Sequence, residues 1–415
     1  MGRQSGSVSC KRNRTDISTI YESPRLDIPV RTFAKGGNMT RWVVVAAVLA
    51  AAGLSNVAAI AADTTRNDKV TVAVFGDWPY ADSSGNRFLL ENAPLLINSV
   101  NGDPDVNLVI HVGDIHSGSE PCTSAEIFPP IAKSIPDWNQ RVFYQFQQFA
   151  LPVVYTPGDN EWADCHKAKQ LISGQPLKEL ASVRQLFFAR PGHTLGGEDK
   201  AVFTQGIDFD PAYPNDAQFV ENVMWEDAKV MFVTVNLPGG SNNDLTPWTA
   251  PFNTTADKAA QATEKAQRTD ANIRWLKAAF DSARANNDKA VVVATQADMW
   301  DPAALPSAGG QGLDQYTSFV QALADKTIQS GLEVLLLNGD THLFNVDQPL
   351  ANPNSATGKI HSTQAVPNLT RITVQGSTNS PAEWLKLTIE GRKPYPYSWQ
   401  NKVYCQNPLH EDCKP

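Results

Sequence analysis

Leu108-Val109-Ile110-His111-Val112-Gly113-Asp114 is the stretch that decides the fold. It is a short apolar run, largely β-branched, that breaks abruptly into Gly-Asp. It lacks the in-out alternation of a half-exposed strand, so it reads as a strand covered on both faces. The same arrangement recurs four times. Val70–Phe75 runs into Gly76-Asp77, and Leu151–Tyr155 runs toward Gly158-Asp159-Asn160-Glu161. Ala290–Ala294 precedes Gln296-Ala297-Asp298, and Val334–Leu337 precedes Gly339-Asp340-Thr341-His342. Between these strands, residues 141–150, 256–286 and 314–330 carry apolar side chains at helical spacing.

Strands alternating with helices indicate an α/β layered fold. Two further pairs, 218–225 with 230–235 and 369–375 with 383–389 around Gly376, read as antiparallel neighbours. The expectation is two packed mixed sheets with helices outside, in a single domain over 63–415. Its motif core spans 70–346 and a C-terminal extension follows. The stretch Pro238–Thr255, rich in Gly, Asn, Pro and Thr, reads as a long surface loop.

The N-terminus follows different rules. Residues 1–38 are polar and aperiodic, an upstream or leader segment. Met39-Thr40-Arg41 then opens an uncharged apolar run that ends at Ala59-Ile60-Ala61-Ala62. A basic start, an apolar run and small residues at its end read as a signal peptide over 39–62, cut between Ala61 and Thr64. The expected location is secreted or periplasmic, with no membrane contact after cleavage. The net charge of −8 becomes −13 once residues 1–62, with eight Lys/Arg and three Asp/Glu, are set aside. An acidic chain without a basic cluster excludes nucleic acid as a partner. Oligomeric state is not legible in the sequence. Four cysteines remain, Cys122, Cys165, Cys405 and Cys413. An even number in an exported chain suggests two disulfides. Of three possible connectivities, Cys122–Cys165 with Cys405–Cys413 is favoured, free thiols being the alternative.

Polar groups at the carboxyl ends of strands are where open α/β sheets build sites. Here those ends offer Asp77, Asp114, Asp159, Gln296, Asp340 and His342. Converging carboxylates repel unless a cation neutralises them, so a metal site is the physical reading. His111 reads as a packed strand residue, Asn242 and Asn243 as turn residues, and His193 and His361 carry no pattern.

Taken together, these motifs resemble the calcineurin-like metallophosphoesterases, which include the purple acid phosphatases. That family shows, in chain order, Asp-x-His, Gly-Asp, Gly-Asn-His-Asp/Glu, an isolated His and Gly-His-x-His. This chain has Asp77-Trp78-Pro79, Gly113-Asp114, Gly158-Asp159-Asn160-Glu161, Gln296 and Gly339-Asp340-Thr341-His342. The resemblance implies a four-layer αββα sandwich and a phosphoester hydrolase acting on a small-molecule substrate through two divalent cations. Asp77, a bridging Asp114 and His342 would hold one cation; Asp114, Asp159, Gln296 and Asp340 would hold the other. Where the family has histidines this chain has mostly oxygen donors, with Pro79 in place of the first. Such donors favour Mn, Mg or Ca over Fe or Zn. Tyr80 is a substitute donor for Pro79. Asn160 stands where the family has its general acid, leaving Glu161, His116 and His166 as candidates for that role.

Overall fold

The computed structural model describes residues 68–80, 88–122, 138–243, 247–301 and 312–408. Residues 65–415 form one compact unit, and the leader and signal segments expected over 1–62 lie outside the described residues. Among the described residues no helix is long and apolar enough to cross a membrane.

Strands β1 (Lys69–Phe75), β2 (Leu108–His111) and β3 (Pro152–Tyr155) run parallel within a six-stranded sheet. β4 (Leu195–Gly196) pairs antiparallel with β3. Beyond β1 the sheet is extended by β12 (Ala382–Glu390) and β13 (Tyr397–Cys405), both antiparallel to their neighbours. The second sheet has seven strands. β11 (Leu369–Thr373), β9 (Glu333–Asn338), β8 (Ala290–Ala294) and β7 (Val230–Thr234) are its parallel centre. β10 (Asn345–Asp347) closes one edge, and β6 (Val223–Asp227) with β5 (Phe203–Thr204) closes the other. Both sheets are therefore mixed.

Strand alternation sorts the apolar residues into layers. Val70, Val72, Val74, Ile110, Val292, Leu335 and Leu337 share the core between the sheets. Ala73, Phe75, Val109 and Val153 turn the other way, onto α1 (Pro94–Asn101), α2 (Trp138–Phe146) and α3 (Pro176–Phe187). Val291, Val293, Val334 and Leu336 likewise meet α4 (Thr255–Ala285) and α5 (Thr317–Ser330). Each of Phe146, Phe280 and Phe319 is wholly buried, worth about 1.5–3 kcal/mol apiece. The order is helices, sheet, sheet, helices, as the sequence implied. Helix α4 starts on a capping box between Thr254 and Asp257, and α5 ends on Gly331 at φ +65°. Both match the chemistry of those termini.

Three sequence expectations are corrected. The stretches around 369–375 and 383–389 are not a hairpin: β11 lies in the second sheet and β12 in the first. The true late hairpin is β12–β13, missed because β13 lies at the sheet edge, where only its ends are buried. The residues beyond 346 are thus no appendage, since β12 pairs with β1 over six positions. The third correction concerns the loop after Pro238. Gly239–Asn243 is a helical turn with Gly240, Asn242 and Asn243 all near φ +60°, and Asn242 and Asn243 are buried.

Candidate active site

The carboxyl ends of strands from both sheets meet in one buried polar cluster. Asp77 follows β1, Asp114 follows β2, Asp159 and Asn160 follow β3, Gln296 follows β8, and Asp340 and His342 follow β9. The backbone at four of these positions is left-handed: φ is +49° at Asp77, +59° at Asp114, +77° at Asp340 and +64° at His342. A non-glycine residue held there costs on the order of 1–3 kcal/mol. Such strain persists where the surroundings over-determine a geometry, and it clusters at functional sites.

Those surroundings are specific. Asp77 N donates to Gly113 O (2.9 Å) and Trp78 N to Asp114 O (3.0 Å), stitching the first two loops together. Gly158 packs so closely on Asp114 that a Cβ would stand 2.0 Å from its Oδ1. His111, wholly buried, braces the same loops: one ring nitrogen lies 2.9 Å from the Trp78 carbonyl and the other accepts from Gly113 N at 3.1 Å. Ser377 donates from N (3.2 Å) and Oγ (2.6 Å) to the Asp77 carbonyl. Asn379 and Gly376 N both donate to the His342 carbonyl. The Cys122–Cys165 disulfide is formed and ties the segment after Asp114 to the segment after Asp159. Cys405 is also disulfide-bonded, and its expected partner Cys413 lies outside the described residues.

Within the cluster the acids are bridged by neutral donors. Tyr80 OH donates to Asp77 Oδ1 (3.2 Å) and Asp114 Oδ2 (3.0 Å). Asn160 donates from Nδ2 to Asp114 Oδ2 (2.9 Å) and Tyr80 OH (3.0 Å), and from its backbone N to Asp114 Oδ1 (3.1 Å). Gln296 Nε2 donates to Asp114 Oδ2 (3.2 Å) and Asp159 Oδ1 (3.1 Å). Asp340 N reaches Asp77 Oδ2 at 3.2 Å, and His342 Nε2 lies 3.1 Å from Asp77 Oδ1.

The charge balance is one-sided. Burial first, then the neighbouring Asp159, Glu161, Asp77 and Asp340, holds the Asp114 carboxyl well above its ordinary range. Burial and then Asp159 do the same to Asp340. Burial also raises Asp159, with Lys167 working against it, and raises Glu161. Burial opposes charge on His342, but Asp77 and Asp159 together outweigh it and the imidazole is raised. Two cations approach from the Asp159 side. Lys167 pairs with Asp164 at 2.6 Å. Lys169 Nζ stands 3.3 Å from where a Cβ on Gly118 would sit, beside the Asn160 amide.

The expected ligand set fits a hard divalent cation in kind: aspartate oxygens, one imidazole and a phenol. Neutralising buried carboxylates is what such an ion supplies. Among the described residues, however, no three His, Cys, Asp or Glu side chains stand as a ready-made cation cage, because the oxygens are turned onto Tyr80, Asn160, Gln296 and backbone N–H groups. Gln296 is the clear misfit. Its Oε1 accepts from Gly239 N, which turns the amide NH2, not the oxygen, toward the acids. It bridges Asp114 and Asp159 as a donor and is corrected here from ligand to hydrogen-bond bridge.

The acid candidates divide. Asn160 and Glu161 join the cluster, but Glu161 lies beneath it, accepting from Tyr155 OH and Gly158 N, each at 2.6 Å. His116 stays outside: its Nδ1 is 3.2 Å from Ser117 O and its ring lies edge-on to Trp138. His166 accepts from Thr249 N at 3.0 Å and has no bond to the acids among the described contacts. Burial pushes both imidazoles down to about 4, so neither carries an acidic proton near neutral pH. Sequence reasoning missed Ser377, Asn379 and the Asp298–Arg371 pair. Arg371 was detectable, since an arginine inside an apolar strand demands a buried partner.

His111 yields a pH prediction. Burial lowers its imidazole to about 4, against about 6.5 in an unfolded chain. Between those values the unfolded state binds the extra proton, so stability is complete above pH ~6.5 and falls as pH drops toward 4. The gap is worth on the order of 3 kcal/mol. His111→Gln is expected to be less stable at pH 7.5 yet to lose less on going to pH 5. Urea unfolding at both pH values checks this; equal pH slopes would refute it.

No protein-family model matches the chain, and no curated protein matches it.

Proposed function

We propose that this chain is an exported, metal-dependent phosphoester hydrolase related to the calcineurin-like phosphoesterases. The observation that carries this is the interlocked Asp77–Asp114–Asp159–Asp340 cluster with His342, built on strained left-handed backbone at the strand ends of both sheets. Asp77, Asp114, Asp159, Asp340 and His342 would hold one or two divalent cations, with Mn, Mg or Ca favoured by the oxygen donors. When bound, such ions lower the pKa of water and polarise phosphoryl oxygens.

The chain's own groups have separable tasks. Gln296 holds Asp114 and Asp159 at a fixed separation. Asn160 Nδ2 and Tyr80 OH hold the Asp114 carboxyl between them as neutral donors. Lys167 and Lys169 at the rim favour an anionic substrate over a neutral one. Export is supported by the apolar segment before residue 63 and by the disulfide.

Turnover of p-nitrophenyl phosphate or its bis-ester is expected only with added Mn2+, Mg2+ or Ca2+, and to vanish with EDTA. The raised carboxyls fix the sign of a linked effect. Without cation these carboxyls bind more protons in the folded chain than in the unfolded one, so their share of stability is lost as pH rises above ~4. A cation must displace those protons. The thermal shift produced by Mn2+ is therefore expected to grow from pH 5 to pH 8; a shift independent of pH would count against this ligand set.

A second reading, a non-catalytic binding protein on the same fold, is favoured by one observation. Asp114 Oδ2 already receives three neutral donors, and no imidazole occupies the acid position. Cation binding without turnover of either ester would select it.

A further inference from the structure

We propose that Asp298 is the positioning residue of the Asp340–His342 loop, an inference that rests on the metal-site reading for its functional consequence. Asp340 and His342 are both left-handed and only Thr341 separates them. A three-residue span with two strained positions relaxes unless it is held from outside. Asp298, 2% exposed, holds it twice. Its backbone N donates to Asp340 Oδ2 at 2.9 Å, and its Oδ2 accepts from Thr341 Oγ1 at 3.1 Å.

Asp298 is itself locked. Its Oδ1 accepts from Trp300 N at 2.9 Å and from the Arg371 guanidinium. Arg371, 3% exposed, also forms a two-pronged pair with Asp347, both bonds 2.9 Å, and lies over the Trp300 ring at 5.3 Å. A chain of directed contacts therefore runs from β10 and β11 to the two outermost site residues. Asp298 touches the acids only through its backbone N–H, so its task is to orient Asp340 and, through Thr341, His342. Groups of this kind commonly set metal affinity by 10–100-fold.

The test uses Thr341→Val, which removes the hydroxyl and little else, Thr341→Ser, which restores it, and Asp298→Asn. Hydrogen exchange of the peptide spanning residues 339–344 is read by mass spectrometry, and Mn2+ affinity by calorimetry. Thr341→Val and Asp298→Asn are expected to exchange at least tenfold faster there, with β9 protection intact, and to bind Mn2+ at least tenfold more weakly. Thr341→Ser should match the wild type in both. Wild-type exchange in Thr341→Val overturns the proposal, as does equal loosening in Thr341→Ser. If the wild-type protein takes up no Mn2+, the hydrolase reading fails, while the exchange measurement still decides the tether. Should Asp298→Asn not fold, the two Thr341 variants carry the comparison alone.

Discussion

Asp114→Asn is expected to abolish metal-dependent phosphoester turnover, by at least a thousandfold in kcat/KM or about 4 kcal/mol, while raising the melting temperature measured without added metal. Both effects follow from the same geometry. Asp114 is the one acid bridged to both sides of the cluster, toward Asp77 through Tyr80 and toward Asp159 through Gln296. Losing its charge removes the group best placed to be shared by two cations. Without cation, burial first and then Asp159, Glu161, Asp77 and Asp340 penalise ionisation of Asp114. A neutral amide escapes that penalty, the usual exchange of stability for function. Turnover assays with Mn2+ and calorimetry in EDTA test the two halves. Retained turnover, or a lower metal-free melting temperature, would contradict the assignment.

The second large effect concerns Cys122–Cys165. Replacing both with Ser is expected to cost about 4 kcal/mol, the chain-entropy value for a loop of this length, whose ends lie 43 residues apart. The bridge is buried, and Asn160 O lies 3.3 Å from Cys122 Sγ. The loss should therefore reach the site, weakening Mn2+ binding as well as stability. Guanidinium unfolding of the variant against wild type gives the first number and Mn2+ calorimetry the second. A variant within ~1 kcal/mol of wild type would show that the disulfide braces little.

Much of this architecture was legible because strands buried on both faces announce themselves. Val70–Phe75, Leu108–Val112 and Val334–Leu337 could be assigned to the sheets' interior, and the polar residues after them to one end. β13 was not legible, because an edge strand with Tyr397-Ser398-Trp399-Gln400-Asn401 has no continuous apolar run. The direction of a side chain was also beyond pattern reading. Gln296 sits where a ligand was expected, but its orientation depends on Gly239 N, a contact 57 residues away. His116 and His166 looked like acids by proximity in sequence, yet burial against Trp138 and a bond from Thr249 hold them elsewhere. The turn at Gly239–Asn243 reads as part of a long surface loop by composition. Its left-handed residues are locked by Arg268, which donates to Asn242 Oδ1 at 2.6 Å and to Asn242 O at 3.2 Å.

The pairing of β1 with β12 joins Lys69–Val74 to Leu385–Glu390, and it puts a clock on the assembly of the site. A ribosome adding about 5–20 residues per second needs on the order of tens of seconds to travel from one strand to the other. Throughout that interval β1 has β2 but lacks its antiparallel neighbour β12, and for most of it Asp77 lacks the Ser377 bonds that hold its carbonyl. The geometry of the acidic cluster is therefore completed only after residues 377–390 have been synthesised. Any nascent fragment ending before residue 382 would carry every acid of the cluster but neither β12 nor β13, the strands that complete the first sheet beside β1.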